Sequence, residues 1–159
     1  MAKKMKEWVV AKEDAVFWLD KNGDWHNEHG KFQHKKIINY FHSAIEKDKD
    51  GYYLCQERDS FREKVYFPHE DSVLFVFNVI EADDIILELN TKRRVKLKPR
   101  KLFIKEDSLY MAQKDEIIKF AEQALMRISK LLEYEGDRYF IRIKGRKYAI
   151  KNAAASQPV

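Results

Sequence analysis

Residues 17–67 and 102–150 read as one pattern written twice. In the first stretch Phe17-Trp18-Leu19, a polar turn and Trp25-His26 lead through Gln33 to Ile37-Ile38. In the second, Leu102-Phe103-Ile104, a polar turn and Leu109-Tyr110 lead through Gln113 to Ile117-Ile118. Gln33 and Gln113, like the two isoleucine pairs, are 80 residues apart. A glycine and an aromatic run follow in each, Gly51-Tyr52-Tyr53-Leu54 and Gly136-Asp137-Arg138-Tyr139-Phe140-Ile141, and then a short strand, 62–67 or 146–150. Internal period constrains topology more than residue identity does. The pattern predicts an α+β fold of two related β-β-α-β-β units with antiparallel sheets and a central apolar strand.

The expected organisation is an N-terminal arm over 1–15, a first unit over 16–70, central strands over 71–99, a second unit over 100–151 and a flexible tail over 152–159. With 159 residues, 45% apolar and 36% charged, the chain has the composition of a globular protein. No apolar run is longer than the five residues of Val73–Phe77, too short to span a bilayer. Glu7, Lys12, Glu13 and Asp14 interrupt any apolar leader, and the lone Cys55 suits a reducing compartment, so a cytoplasmic location is expected.

In chain order, Asn22-Gly23 signals a hairpin between strands at 16–19 and 24–28. A helix over 34–46 carries Ile37, Ile38, Phe41, Ala44 and Ile45 on one stripe. Strands at 52–56 and 63–67 pair across a charged loop. The apolar run 72–80 reads as a strand covered on both faces, and 85–90 with 94–98 as a hairpin. A second helix is expected over 116–132, capped by Asp115, with Leu125 inward and Lys119 on its polar face.

The chemistry-bearing motifs are mostly negative. There is no glycine-rich phosphate loop, no Gly-x-Ser-x-Gly elbow and no His-Glu-x-x-His pair. His26 and His29 point to opposite faces of a strand and read as surface residues rather than metal ligands. Cys55 reads as a buried, inert thiol. No metal, catalytic residue or cofactor is expected.

The seven cations of 92–101 exceed the net charge of +5, which leaves the remainder at −2. One basic stretch therefore sets the overall balance. Its alternation places Arg94, Lys96 and Lys98 on one face, as on a solvated edge strand guarded against further pairing. That argues against nucleic acid as the partner, although the stretch is the place where such binding would occur. His34, Lys35 and Lys36 break a rule by opening a helix with cations, against its dipole. Free N–H groups and two lysines make an anion site there, with Trp25 and His26 on the preceding strand as its wall.

Asp20-x-x-Gly23-x-Trp25, Gly30, the basic pair before Ile37-Ile38, Phe41 and Asp50-Gly51-Tyr52-Tyr53-Leu54 resemble the bacterial domain-of-unknown-function family 1285. The resemblance is densest over 17–80 and extends to the second helix. It departs at Gln56-Glu57-Arg58, where the family has Thr-Pro-x-Glu, and near Ser72–Phe75, where the family has a proline. The resemblance implies repeated motifs comparable with pleckstrin-homology-like domains, a suggested signalling role and no established reaction. Together these readings favour a non-enzymatic module that binds a small anionic ligand or a protein partner in a sensory or regulatory role. The alternatives are an enzyme with a carboxylate or histidine in a pocket, and nucleic-acid binding through 92–101. Oligomeric state is not legible.

Overall fold

A computed structural model describes residues 6–153, which are mostly strand. The chain divides into two units, one ending at Val73 and the other beginning at Leu74. Parts of the expected arm and tail, 1–5 and 154–159, lie outside the described residues.

The first unit contains β1 (Lys6–Val10), β2 (Phe17–Leu19), β3 (Trp25–Asn27), β4 (Gly30–Lys31), α1 (Lys35–Ser43), β5 (Ile45–Asp48), β6 (Gly51–Arg58) and β7 (Phe61–Tyr66). Strands β2, β3 and β4 form one antiparallel meander, and β5, β6 and β7 form another, with β1 added in parallel to β7. Residues 6–10, expected as part of an arm, are thus an edge strand. The turn between β2 and β3 holds Gly23 at φ 85, a conformation that glycine adopts without a Cβ clash. Leu19, Trp25 and Phe67 are fully buried, and Phe17 and Phe41 contact the Trp25 ring edge-on.

The second unit contains β8 (Leu74–Glu81), β9 (Ile85–Leu89), β10 (Arg94–Lys96), β11 (Leu102–Lys105), β12 (Ser108–Gln113), β13 (Glu116–Phe120), α2 (Glu122–Ile128), β14 (Leu132–Glu135), β15 (Arg138–Ile143), β16 (Arg146–Ala149) and β17 (Lys151–Asn152). A seven-stranded sheet runs β10-β9-β8-β13-β12-β11-β17, and β14, β15 and β16 form a separate meander. The apolar strand β8 lies inside the large sheet between β9 and β13, with Leu74, Phe75 and Val76 buried. Buried Asn90 fastens it: its Oδ1 accepts from the Phe75 N–H, and its own N–H donates to the Phe75 carbonyl. A buried amide with such partners avoids the desolvation cost of an orphan.

The second helix differs from expectation. Residues 116–120 are strand, paired antiparallel to β12 and parallel to β8, and the helix begins only at Glu122. Asp115 therefore sits in a two-residue turn with Lys114 at φ 56, and Ala121 occupies the N-cap. β-branched Ile117 and Ile118 suit a strand, and pairing on both sides outweighs helix periodicity. Lys119 is consequently buried, with its ammonium 5.7 Å from the Tyr110 ring, rather than on a polar helix face. Leu125 is only half-buried, while Ala124 and Ile128 are buried. The first helix is shorter than the predicted 34–46, because Ile45 and Glu46 pair with β6.

The 80-residue offset also fails, since Ile37 lies in a helix and Ile117 in a strand. A different offset relates the elements. Lys35 and Glu122 open the two helices, Ile45 and Leu132 the next strands, and Gly51 and Arg138 the strands after those, each 87 residues apart. Within each unit one segment, β2 to β7 or β11 to β16, has three strands, not two, before the helix and three after it.

Candidate functional site

The five residues singled out from sequence differ in exposure, from buried Trp25 to exposed His34, Lys35 and Lys36. Trp25 is 1% exposed, and its Nε1–H donates to Nδ1 of buried His42 at 3.2 Å. It is therefore a core residue and does not wall a ligand site. His26 is half-buried, stacks on Trp18 at 5.4 Å and places Nε2 2.7 Å from Asp20 Oδ2. Asp20 Oδ1 also accepts from the N–H groups of Asn22 and Asp24, and so organises the turn. Burial raises the Asp20 carboxyl, but the backbone N–H of Asp24, His26 and the N–H of Asn22 together bring it below its ordinary value. Asp20 thereby ties His26 to the β2–β3 turn. His34, Lys35 and Lys36 are exposed at the start of α1, whose first turn carries no acid, and His34 caps it through no side-chain bond.

Cys55 is half-buried on β6, with the Arg62 Nε–H 2.9 Å from its Sγ. Burial pushes the thiol above its ordinary value despite the guanidinium. That is the setting of an unreactive thiol. Among the described residues, no three His, Cys, Asp or Glu side chains are grouped to hold a metal. No described helix is long and apolar enough to cross a membrane.

The basic stretch folds as β10, at the edge of the seven-stranded sheet. Three of its seven cations are met by acids: Arg94 by Glu88 at 3.1 Å, Arg93 by Glu116 at 3.0 Å and Lys96 by Asp84 at 3.5 Å. A charged edge strand resists the addition of a further strand.

One cleft in the second unit was not legible from sequence. It measures about 530 Å³ and lies between the β8–β9 turn and the β15–β16 hairpin. Lys96 and Lys144 both approach Asp84, and the Lys144 ammonium, followed by Lys96, holds that carboxyl below its ordinary value. Arg142 is taken by Glu133 at 2.6 Å. Arg146 differs. Its guanidinium lies 5.5 Å from the Tyr148 ring centroid, and Arg100 lies 5.3 Å from the same ring. Among the described residues neither arginine is paired with a carboxylate. Glu81 and Asp83 also line the cleft, so its charge is mixed. Arg100 and Arg146 are 46 residues apart, and only the fold brings them to one ring.

No protein-family model and no curated protein matches the sequence. Two solved structures are similar in fold. A DUF1285 family protein from Silicibacter pomeroyi DSS-3 aligns with a TM-score of 0.58 and 11% identity, covering 93% of this chain and 84% of that one. A DUF1285 family protein from Shewanella baltica OS155 aligns with a TM-score of 0.50 and 16% identity, covering 72% and 91%. The family to which the residues pointed is thus the family met in structure, and this chain has the fold of DUF1285 family proteins.

Proposed function

We propose that this chain is a non-catalytic DUF1285-type module that binds a small anionic ligand in a regulatory role. The observation that carries this reading is the pair Arg100 and Arg146. Arg146 lines the cleft and Arg100, outside its lining, lies near the same Tyr148 ring; with no carboxylate partner among the described residues, the two guanidiniums are available to a phosphate or carboxylate. Stacking on Tyr148 limits their rotamers, so less entropy is lost when an anion binds. The exposed His34, Lys35 and Lys36 at the α1 N-terminus form the competing location, without the walls that Trp25 and His26 were expected to supply. We further read the two strand-strand-strand-helix-strand-strand-strand units as copies of one ancestral unit, on the strength of the 87-residue offset.

A calorimetric titration with inorganic phosphate and with citrate tests the site. Binding that is lost in Arg100→Glu/Arg146→Glu and kept in Lys35→Glu/Lys36→Glu places the anion at the cleft. The opposite pattern places it at α1. No heat with either anion overturns the reading.

A further inference from the structure

The second unit has another pocket, of about 420 Å³, where the β11–β12 hairpin, α2 and the β14–β15 hairpin converge. The first unit has an aromatic cluster beside its helix. There, between β2–β3, α1 and the following strands, the rings of Phe17, Trp25, Phe41 and Phe67 pack against one another at 5.0–6.1 Å. The pocket of the second unit is walled by the aliphatic side chains of Ile104, Leu109, Leu125 and Leu132. Apolar walls with few polar groups are the usual make-up of a small-molecule site.

Two further features set the class of ligand. Tyr134 and Tyr139 face each other across β14 and β15, with ring centroids 4.7 Å apart, and are 61% and 40% exposed. The corresponding cross-strand pair of the first unit, 87 residues earlier, is Lys47 and Tyr52, where the lysine ammonium lies 5.4 Å from the ring. The first unit thus supplies its own cation to that ring. In the second unit tyrosine replaces the lysine, and among the described residues no Lys or Arg lies over either ring. The only ionisable acid lining the pocket is Asp107, in the turn between β11 and β12, and it makes no hydrogen bond or ion pair among the described residues. We infer that this pocket binds an organic cation, a substituted ammonium carrying an apolar group. The ammonium would rest on the exposed tyrosine faces near Asp107, with the apolar group among Leu109, Leu125 and Leu132. This inference is independent of the anion cleft.

Three probes with one ring and different charge test it: benzyltrimethylammonium, benzyl alcohol and benzoate. Leucine-methyl NMR of the whole protein reads both position and affinity. The expected result is a shift of the Leu109, Leu125 and Leu132 methyls, with the ammonium bound most tightly. Asp107 has φ 64, a conformation that asparagine also tolerates, so Asp107→Asn should keep the fold. That variant should bind the ammonium about fivefold more weakly, with benzyl alcohol unaffected. Tyr139→Leu should weaken the ammonium about tenfold. Equal binding of the three probes, a preference unchanged in Asp107→Asn, or the absence of shifts at these methyls would overturn the inference.

Discussion

The meanders β5-β6-β7 and β14-β15-β16 carry the same line of side chains and treat it differently. In the first, Lys64 reaches across the Tyr53 ring, 4.4 Å from its centroid, to Asp48 at 2.8 Å. In the second, Lys147 reaches across Phe140, also at 4.4 Å, to Glu135. Tyr53 and Phe140 hold equivalent positions, each paired with the second residue of the preceding strand, Glu46 or Glu133. Strand pairing alone brings such a lysine, ring and acid into line. The surroundings decide what the line is worth. Asp48 receives a second donor, the Tyr66 hydroxyl at 2.6 Å, and its carboxylate is 26% exposed. Opposite Phe140 stands Ala149, which has no hydroxyl, and Glu135 is 71% exposed. The same geometry is a shielded network in one unit and a solvated contact in the other.

The junctions beneath the helices offer the sharpest way to break this contrast. Trp25→Ala removes a fully buried ring and a donor to His42, and should cost about 3–5 kcal/mol. Leu125→Ala enlarges a pocket that already exists and should cost below about 2 kcal/mol. Urea denaturation followed by far-ultraviolet circular dichroism measures both, and equal costs would erase the difference between the junctions. Added volume should have opposite signs in the two places. Leu132→Phe should stabilise by about 0.5–1 kcal/mol by filling space, whereas Phe41→Trp should destabilise by about 1–3 kcal/mol through overpacking. Calorimetric melting decides, and the same sign at both sites would refute the contrast.

The smallest expected effect concerns acid. Hydrogen bonds from the Lys64 ammonium and then the Tyr66 hydroxyl lower the Asp48 carboxyl from 3.8 to about 2. A lowered carboxyl stabilises the fold above its unfolded value, and this contribution is lost as pH falls from about 4 towards about 2. Asp48→Asn should flatten that part of the stability curve. At neutral pH it should also cost more than Glu135→Gln. A curve unchanged by Asp48→Asn would show that the network adds nothing.

The sequence disclosed strands and hairpins better than it disclosed the second helix. Asn22-Gly23 marked a turn, 72–80 marked the buried strand, and the alternation of 94–98 marked an edge, because each is a local rule with a local cause. Ile117-Ile118 misled because an apolar pair fits a helix stripe as well as a strand, and only pairing with distant Leu74 and Phe75 settles the matter. The 80-residue match depended on that pair. Once the extra strand is counted, the offset becomes 87. The clefts were illegible for a related reason. Arg100 meets Tyr148, and Asp107 shares a pocket with Tyr139, through contacts that no spacing encodes. Trp25 was misjudged as a site wall because an aromatic beside a histidine looks alike in a core and in a cleft.

The placement of Trp25 has an optical consequence. Trp8, Trp18 and Trp25 are the only tryptophans of the chain, and all three precede Val73. Indole emission, excited away from tyrosine, therefore reports the first unit alone. Trp25 contributes the blue, sealed component, and Trp8, 64% exposed, the red one. The second unit, which carries both clefts, has tyrosine but no indole. It can melt without an intrinsic tryptophan signal, so a native-looking emission spectrum does not certify that the second unit is folded.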